Sequence, residues 1–196
     1  MLRTNVINEI AETLGAKTYL EVGVRDPHHN FHDIRVESKL GVDPAVSMVE
    51  NVLPITSDRF FEKNDRRFDL IFIDGDHTYE GVKADLSNAL QICDGAIIMH
   101  DVHPVNEREC LPKKPNDGMP WCGEAWKVFV EARLDGWVGM SIDVDHGVGI
   151  ILPEKEEPDL CNTEDGIDFG IFRQNWMDWL NVVTVEQAKE RVSWSV

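Results

Sequence analysis

DLIFIDGDHTYEGVKADL, residues 69–86, is the stretch that decides the fold. It opens with an unbroken apolar run between charges, the composition of a strand covered on both faces of a parallel sheet. From Glu80 to Ile92 apolar residues recur at helical spacing, with Val82, Leu86, Ala89 and Leu90 on one face. Between the two stand Asp74, Gly75, Asp76 and His77. Ending a strand needs one turn residue and one cap, and either Asp76 or Thr78 could be the cap. The remaining groups are free for chemistry.

The same alternation extends in both directions. Upstream, residues 3–14 read as an amphipathic helix with Val6, Ile7, Ile10 and Leu14 on one stripe and Gly15 as its stop. TYLEVGV (18–24), KLGVD (39–43) and VLPIT (52–56) read as strands. A short helix-like piece, HNFHDIRV, follows the first, and a helical turn from Asp58 follows the third. Downstream, GAIIMHD (95–101) is a fifth strand, and residues 102–120 form a long Pro-rich loop of the kind that serves as a lid. Trp126 to Leu134 returns to helix, with Trp126, Phe129 and Val130 as core. WVGMSIDV and HGVGIIL, separated by Asp145, read as an antiparallel hairpin closing the sheet edge. The expected class is α/β: a Rossmann-like, doubly wound, mostly parallel seven-stranded sheet with an antiparallel C-terminal hairpin.

At 196 residues and 42% apolar, the chain suffices for one full core and is too short for two ordinary domains. Its 36 acids against 19 bases give a net charge of −17. Such a surface repels nucleic-acid phosphates and anionic membranes, so neither is an expected partner. Nothing in the pattern decides between a monomer and a homodimer. The four cysteines (Cys93, Cys110, Cys122, Cys161) form no CxxC pair. MLRTNVINEIAETL reads as a helix rather than a signal segment, so reduced thiols in a cytoplasmic protein are expected.

Doubly wound sheets bind ligands at the carboxyl ends of their strands. An acid stands at or just beyond each of these ends: Glu21, Asp43, Asp58, Asp74 and Asp101. Asp43 occupies the familiar position for a carboxylate that accepts from ribose hydroxyls. The first turn, EVGVRDPHHN, holds a single glycine and makes a poor cradle for a pyrophosphate. An adenosine ligand without phosphates needs no such cradle. S-adenosylmethionine is one. Arg25, His28 and His29 read as solvated loop.

LEVGV, GVDP, TSDRFF, FDLIFIDGDHTYEGVKADL and GAIIMHDVHP, in this order, resemble the motifs of class I S-adenosylmethionine-dependent methyltransferases. The likeness is greatest to the small branch in which the fourth strand reads IDGDHxYEGVxxDL and the fifth ends in HD. It covers about residues 17–104 and reaches the final hairpin; the departure is Arg25-Asp26-Pro27, where the family often carries further glycines. The resemblance implies a methyltransferase domain over 1–153; the tail, 154–196, lies outside it and reads from its acidic and then aromatic composition as a linker and a C-terminal docking helix of the same domain. It implies S-adenosylmethionine as cofactor and a small-molecule or glycan acceptor methylated on oxygen. Gly23 would shape the cofactor turn with Glu21 beneath it. Asp43 would hold the ribose, Ser57 and Asp58 would sit near the adenine edge, and Asp74 would face the transferred methyl group.

Asp74 and Asp101 close strands expected to be neighbours, about 4.8 Å apart, so the two carboxylates could share Mg²⁺ or another divalent cation. Some O-methyltransferases of this fold complete such a site with an Asp or Asn directly after the fifth-strand Asp. Here that position is Val102, leaving Asp76 or His103 to complete the set. His77 and His103 are the candidate bases beside Asp74, His103 being preferred, while His100 reads as a hydrogen-bonded core histidine. Trp121 is a candidate pocket wall, and Cys122 lacks the partnered histidine of a nucleophile. Two competing readings stay open: a metal-dependent hydrolase built from the Asp/His cluster, and a non-catalytic nucleotide-binding module.

Overall fold

The computed structural model describes residues 1–158, 160 and 166–194. Cys161 lies outside them; Cys93, Cys110 and Cys122 are free thiols. Seven strands form one sheet: β1 (Thr18–Val22), β2 (Ser38–Val42), β3 (Val52–Leu53), β4 (Phe68–Ile73), β5 (Cys93–Met99), β6 (Trp137–Ile142) and β7 (Val148–Lys155). Their order is β3-β2-β1-β4-β5-β7-β6, parallel throughout except for β7, which runs antiparallel to both its neighbours. The expected architecture is the observed one. The helices are α1 (Arg3–Leu14), α2 (Ser57–Lys63), α3 (Tyr79–Ile92), α4 (Ala125–Leu134), α5 (Phe169–Trp179) and α6 (Val185–Ser193).

Side chains alternate across a strand, and the two faces of the sheet carry separate cores. Leu20, Val22, Ile71, Ile73, Ile97 and Met99 pack with Val82 and Leu86 of α3, Trp126 and Phe129 of α4, and Phe172 and Trp179 of α5. Tyr19, Leu70, Phe72, Ala96 and Ile98 pack with Val6, Ile7 and Ile10 of α1 and with Ala188 and Val192 of α6. The tail therefore holds two helices where one was expected, and they dock on opposite faces. Between the two helices, Val182 forms an isolated parallel bridge to Ser141 at the β6 edge.

Register fixes what stands at the strand ends. Val42, Val22, Ile73 and Met99 are successive partners across β2, β1, β4 and β5. The residues that follow them are Asp43, Gly23, Asp74 and His100, one row along the carboxyl edge. Asp101 was the expected neighbour of Asp74 across these strand ends; the register puts His100 there. Asp101 is one residue further, in a left-handed turn at φ 60°. Thr78 is the cap of α3, its hydroxyl accepting from the Gly81 amide at 3.2 Å.

Candidate active site

A cleft of about 1230 Å³ lies along this row, with Gly23, Asp43, Ser57, Asp58, Asp74 and His77 among its walls. That exceeds the usual range for small-molecule sites and leaves space for a nucleoside together with a second reactant. The β1 turn closes tightly on the β4 turn: Gly23 has φ 90°, and a Cβ there would lie 2.3 Å from the Asp74 carbonyl oxygen. Only glycine satisfies both conditions.

Asp43 holds this turn in place. Its Oδ2 accepts from the Arg25 amide and its Oδ1 from the Ala45 amide, both at 2.7 Å. Each carboxylate oxygen keeps a second lone pair for a ligand hydroxyl. Glu21 lies beneath, buried, accepting from the Tyr19 hydroxyl at 2.6 Å and from the Asn30 amide at 2.8 Å. Burial pushes its carboxyl up to about 7, against those two hydrogen bonds. Ser57 and Asp58 line the far end at the start of α2. Behind them Asp85 of α3 is buried, and burial raises its carboxyl to about 6 against a hydrogen bond from Ser57.

The floor of the cleft is a cluster of alternating charge. Asp74 Oδ1 lies 3.3 Å from both His77 Nε2 and His100 Nδ1, and Asp101 Oδ2 lies 3.3 Å from His77 Nδ1 and 3.4 Å from His100 Nδ1. Burial opposes ionisation of Asp74, but the two imidazoles more than reverse it and hold the carboxyl well below its usual range. Burial likewise opposes charge on the histidines, and the surrounding carboxylates raise both, His100 by the greater amount. The β6–β7 turn adds Asp145, held low chiefly by His100, and α1 adds Arg3, whose Nη1 donates to Asp145 Oδ2 at 3.0 Å. Three acids thus face three bases. Asp101, Asp145 and His146 all have positive φ, and such backbone strain gathers where side chains are held for a task.

Trp121 stacks on His77 with ring centroids 5.1 Å apart, so the end of the long loop walls the cleft as expected. The Glu124 amide donates to the His77 carbonyl at 2.8 Å. Trp126, Phe129 and Val130 are core, also as expected.

Three expectations need correction. His103 does not face the cleft: its Nδ1 is 2.7 Å from Asp143 Oδ1 and its ring stacks on Trp176 at 4.0 Å. Asp101, in the left-handed region, shifts the pairing by one residue, and beyond it the Val102 and His103 amides go on donating to the Gly147 and His146 carbonyls; His103 then points toward the side of α5. Asp76 is exposed and turns to its own loop, accepting from the Thr78 amide at 2.9 Å, and so does not complete a cation site. His100 is no plain core residue but the centre of the cluster. Arg3, at the start of the first helix, and Asp145, between the hairpin strands, were not expected at the site; the one available signal was the Asp-His-Gly turn between those strands.

Among the described residues, Asp74, His100 and Asp101 bring ligand atoms within 4.8 Å of one another. His100 Nε2 is buried without a hydrogen-bond partner. Two carboxylates and an imidazole fit a divalent cation, with more nitrogen than Mg²⁺ favours.

A family model described as "Methyltransferase domain" matches residues 9–102, from within α1 to just past the end of β5. The match spans just under half of the chain, which over that part is similar to methyltransferase domains. The O-methyltransferase from Bacillus cereus, solved in complex with SAH, is similar at 16% identity, covering 76% of this chain and 80% of that one, with a TM-score of 0.51. TomG, an O-methyltransferase from Streptomyces achromogenes involved in tomaymycin synthesis and solved with SAM, is similar at 13% identity, covering 76% and 78%, with a TM-score of 0.56. No curated protein matches the chain. Among the described residues no helix is long and apolar enough to cross a membrane.

Proposed function

We propose that this chain is an S-adenosylmethionine-dependent methyltransferase that delivers its methyl group to a hydroxyl of a small molecule or sugar. The observation that carries the reading is the row Asp43–Gly23–Asp74–His100, which lines one cleft at the carboxyl edge of the sheet. Solved relatives of this fold hold SAH or SAM, which supports a nucleoside here.

In this reading Asp43 accepts from the ribose hydroxyls, Ser57 and Asp58 border the adenine, and Gly23 lets the cofactor lie against bare backbone. Asp74 lies below the sulfonium. Transfer from a sulfonium is chiefly a matter of alignment, and a packed cluster supplies that. His77 borders the acceptor with both ring nitrogens held by Asp74 and Asp101 and its ring fixed by Trp121; in the charged form those carboxylates favour, it positions the acceptor hydroxyl, whose proton leaves to water. A divalent cation between Asp74, His100 and Asp101 would polarise the acceptor oxygen.

Calorimetric titration with S-adenosylhomocysteine, with and without Mg²⁺ or Mn²⁺, tests the proposal, followed by acceptor screening with a labelled methyl donor. Nucleoside binding and methyl incorporation are expected. A response to metal alone would favour the hydrolase reading. Binding without transfer to any acceptor would favour a nucleotide-binding module.

A further inference from the structure

The reading above leaves the amino-acid tail of the cofactor without an obvious partner. That tail carries a carboxylate, and the adjacent walls, Glu21 and Asp74, are acidic. The backbone amides of the β1 turn are in part already engaged: Gly23 N–H donates to the Val42 carbonyl at 2.9 Å and Arg25 N–H to Asp43 at 2.7 Å. An anion can enter only beside a fixed positive charge.

Arg3 supplies one. It is the first residue of α1 and lines the cleft together with Glu21 and Gly23. Asp145 holds it twice, accepting from Nη1 at 3.0 Å and from the backbone amide at 3.2 Å. A guanidinium has two edges. Nη1 lies on the one taken by Asp145, whereas Nε, on the other, is buried and has no hydrogen-bond partner. Asp74 Oδ2 is 3.8 Å from Nε, beyond hydrogen-bond length. The Nε edge is the one that receives a carboxylate through two parallel N–H donors. Of the other cations at the cleft, Arg25 is exposed, and Lys114 lies over Trp121 at the loop wall.

We propose that Arg3 is the carboxylate-binding residue for the aminoacyl tail of the cofactor, an assignment that rests on the cleft being an S-adenosylmethionine site. Asp145 acts through it as a positioning residue. The fork of the guanidinium replaces the glycine-rich turn that this chain lacks.

Two ligands separate the subsite from the rest of the cleft: S-adenosylhomocysteine, which has the tail, and methylthioadenosine, the same nucleoside without it. In calorimetry, Arg3→Gln is expected to weaken S-adenosylhomocysteine by about 30-fold, as for loss of a charged hydrogen-bonded pair, and methylthioadenosine by less than about twofold. Arg3→Lys, which keeps the charge but not the fork, should fall between and serves if Arg3→Gln fails to fold. Equal weakening of both ligands, or of neither, would overturn the assignment. Wild-type protein that binds neither nucleoside would overturn the cofactor reading, and Arg3 with it.

Discussion

Asp74 and His100 end neighbouring strands side by side, Oδ1 to Nδ1 at 3.3 Å, and the same carboxylate oxygen meets His77 at 3.3 Å. One half-buried anion therefore serves two imidazoles whose ionisation it supports. Removing it leaves Asp101 as the one carboxylate the two rings share.

Asp74→Asn is accordingly expected to cost about 2 kcal/mol in chemical denaturation, below the scale for a fully buried ion pair because Asp101 still faces both rings. Methyl incorporation should be lost with it. An unchanged denaturation midpoint would show that the cluster is not a network.

Gly123 touches the other side of the same histidine. Its φ is 65°, and a Cβ there would lie 2.2 Å from the His77 carbonyl oxygen. Gly123→Ala must push His77 out of line without reaching the nucleoside end of the cleft. Turnover should fall at least about tenfold while S-adenosylhomocysteine affinity stays within about twofold. Parallel loss of both would place His77 in cofactor binding instead.

Glu21 makes stability depend on pH. Its folded-state carboxyl is near 7 against an ordinary 4.5, so the native protein holds a proton that the unfolded chain releases between those values. Stability therefore falls as pH rises from about 4.5 to about 7, then levels off. Glu21→Gln removes that loss while keeping an acceptor for Tyr19 and Asn30. Relative to the parent, the variant should gain with pH across that window, by at most about 3 kcal/mol. Denaturant midpoints at pH 5 and pH 8 read this directly, and a gain that shrinks with pH would contradict it.

His103 is expected to matter for stability alone. His103→Ala loses the bond to Asp143 and the stack on Trp176, together about 1–2 kcal/mol. Turnover per folded molecule should be unchanged. A large fall in turnover at constant stability would restore His103 as the base.

The segments themselves were legible because their signals are local. An apolar run such as Leu70–Ile73 cannot face water on either side, and the spacing of Val82, Leu86 and Ala89 makes one helical stripe. Gly23, Asp43 and Asp74 could be placed at strand ends for the same reason, and all three line the cleft. The tail was read less well. Phe172 and Trp179 dock on one face and Ala188 and Val192 on the other, and amphipathicity alone does not say which surface a helix covers.

Local pattern thus determined the strands, the helices and the carboxyl edge where a ligand would lie, since each depends on residues a few positions apart. Tertiary structure decided which groups meet there. Pairing across β4 and β5 set His100 beside Asp74, a one-residue shift at left-handed Asp101 turned His103 away from the cleft, and packing of α1 carried Arg3 to Asp145, 142 residues along the chain. Contacts between such distant segments arise from the closing of two cores on one sheet, and no short-range periodicity encodes them.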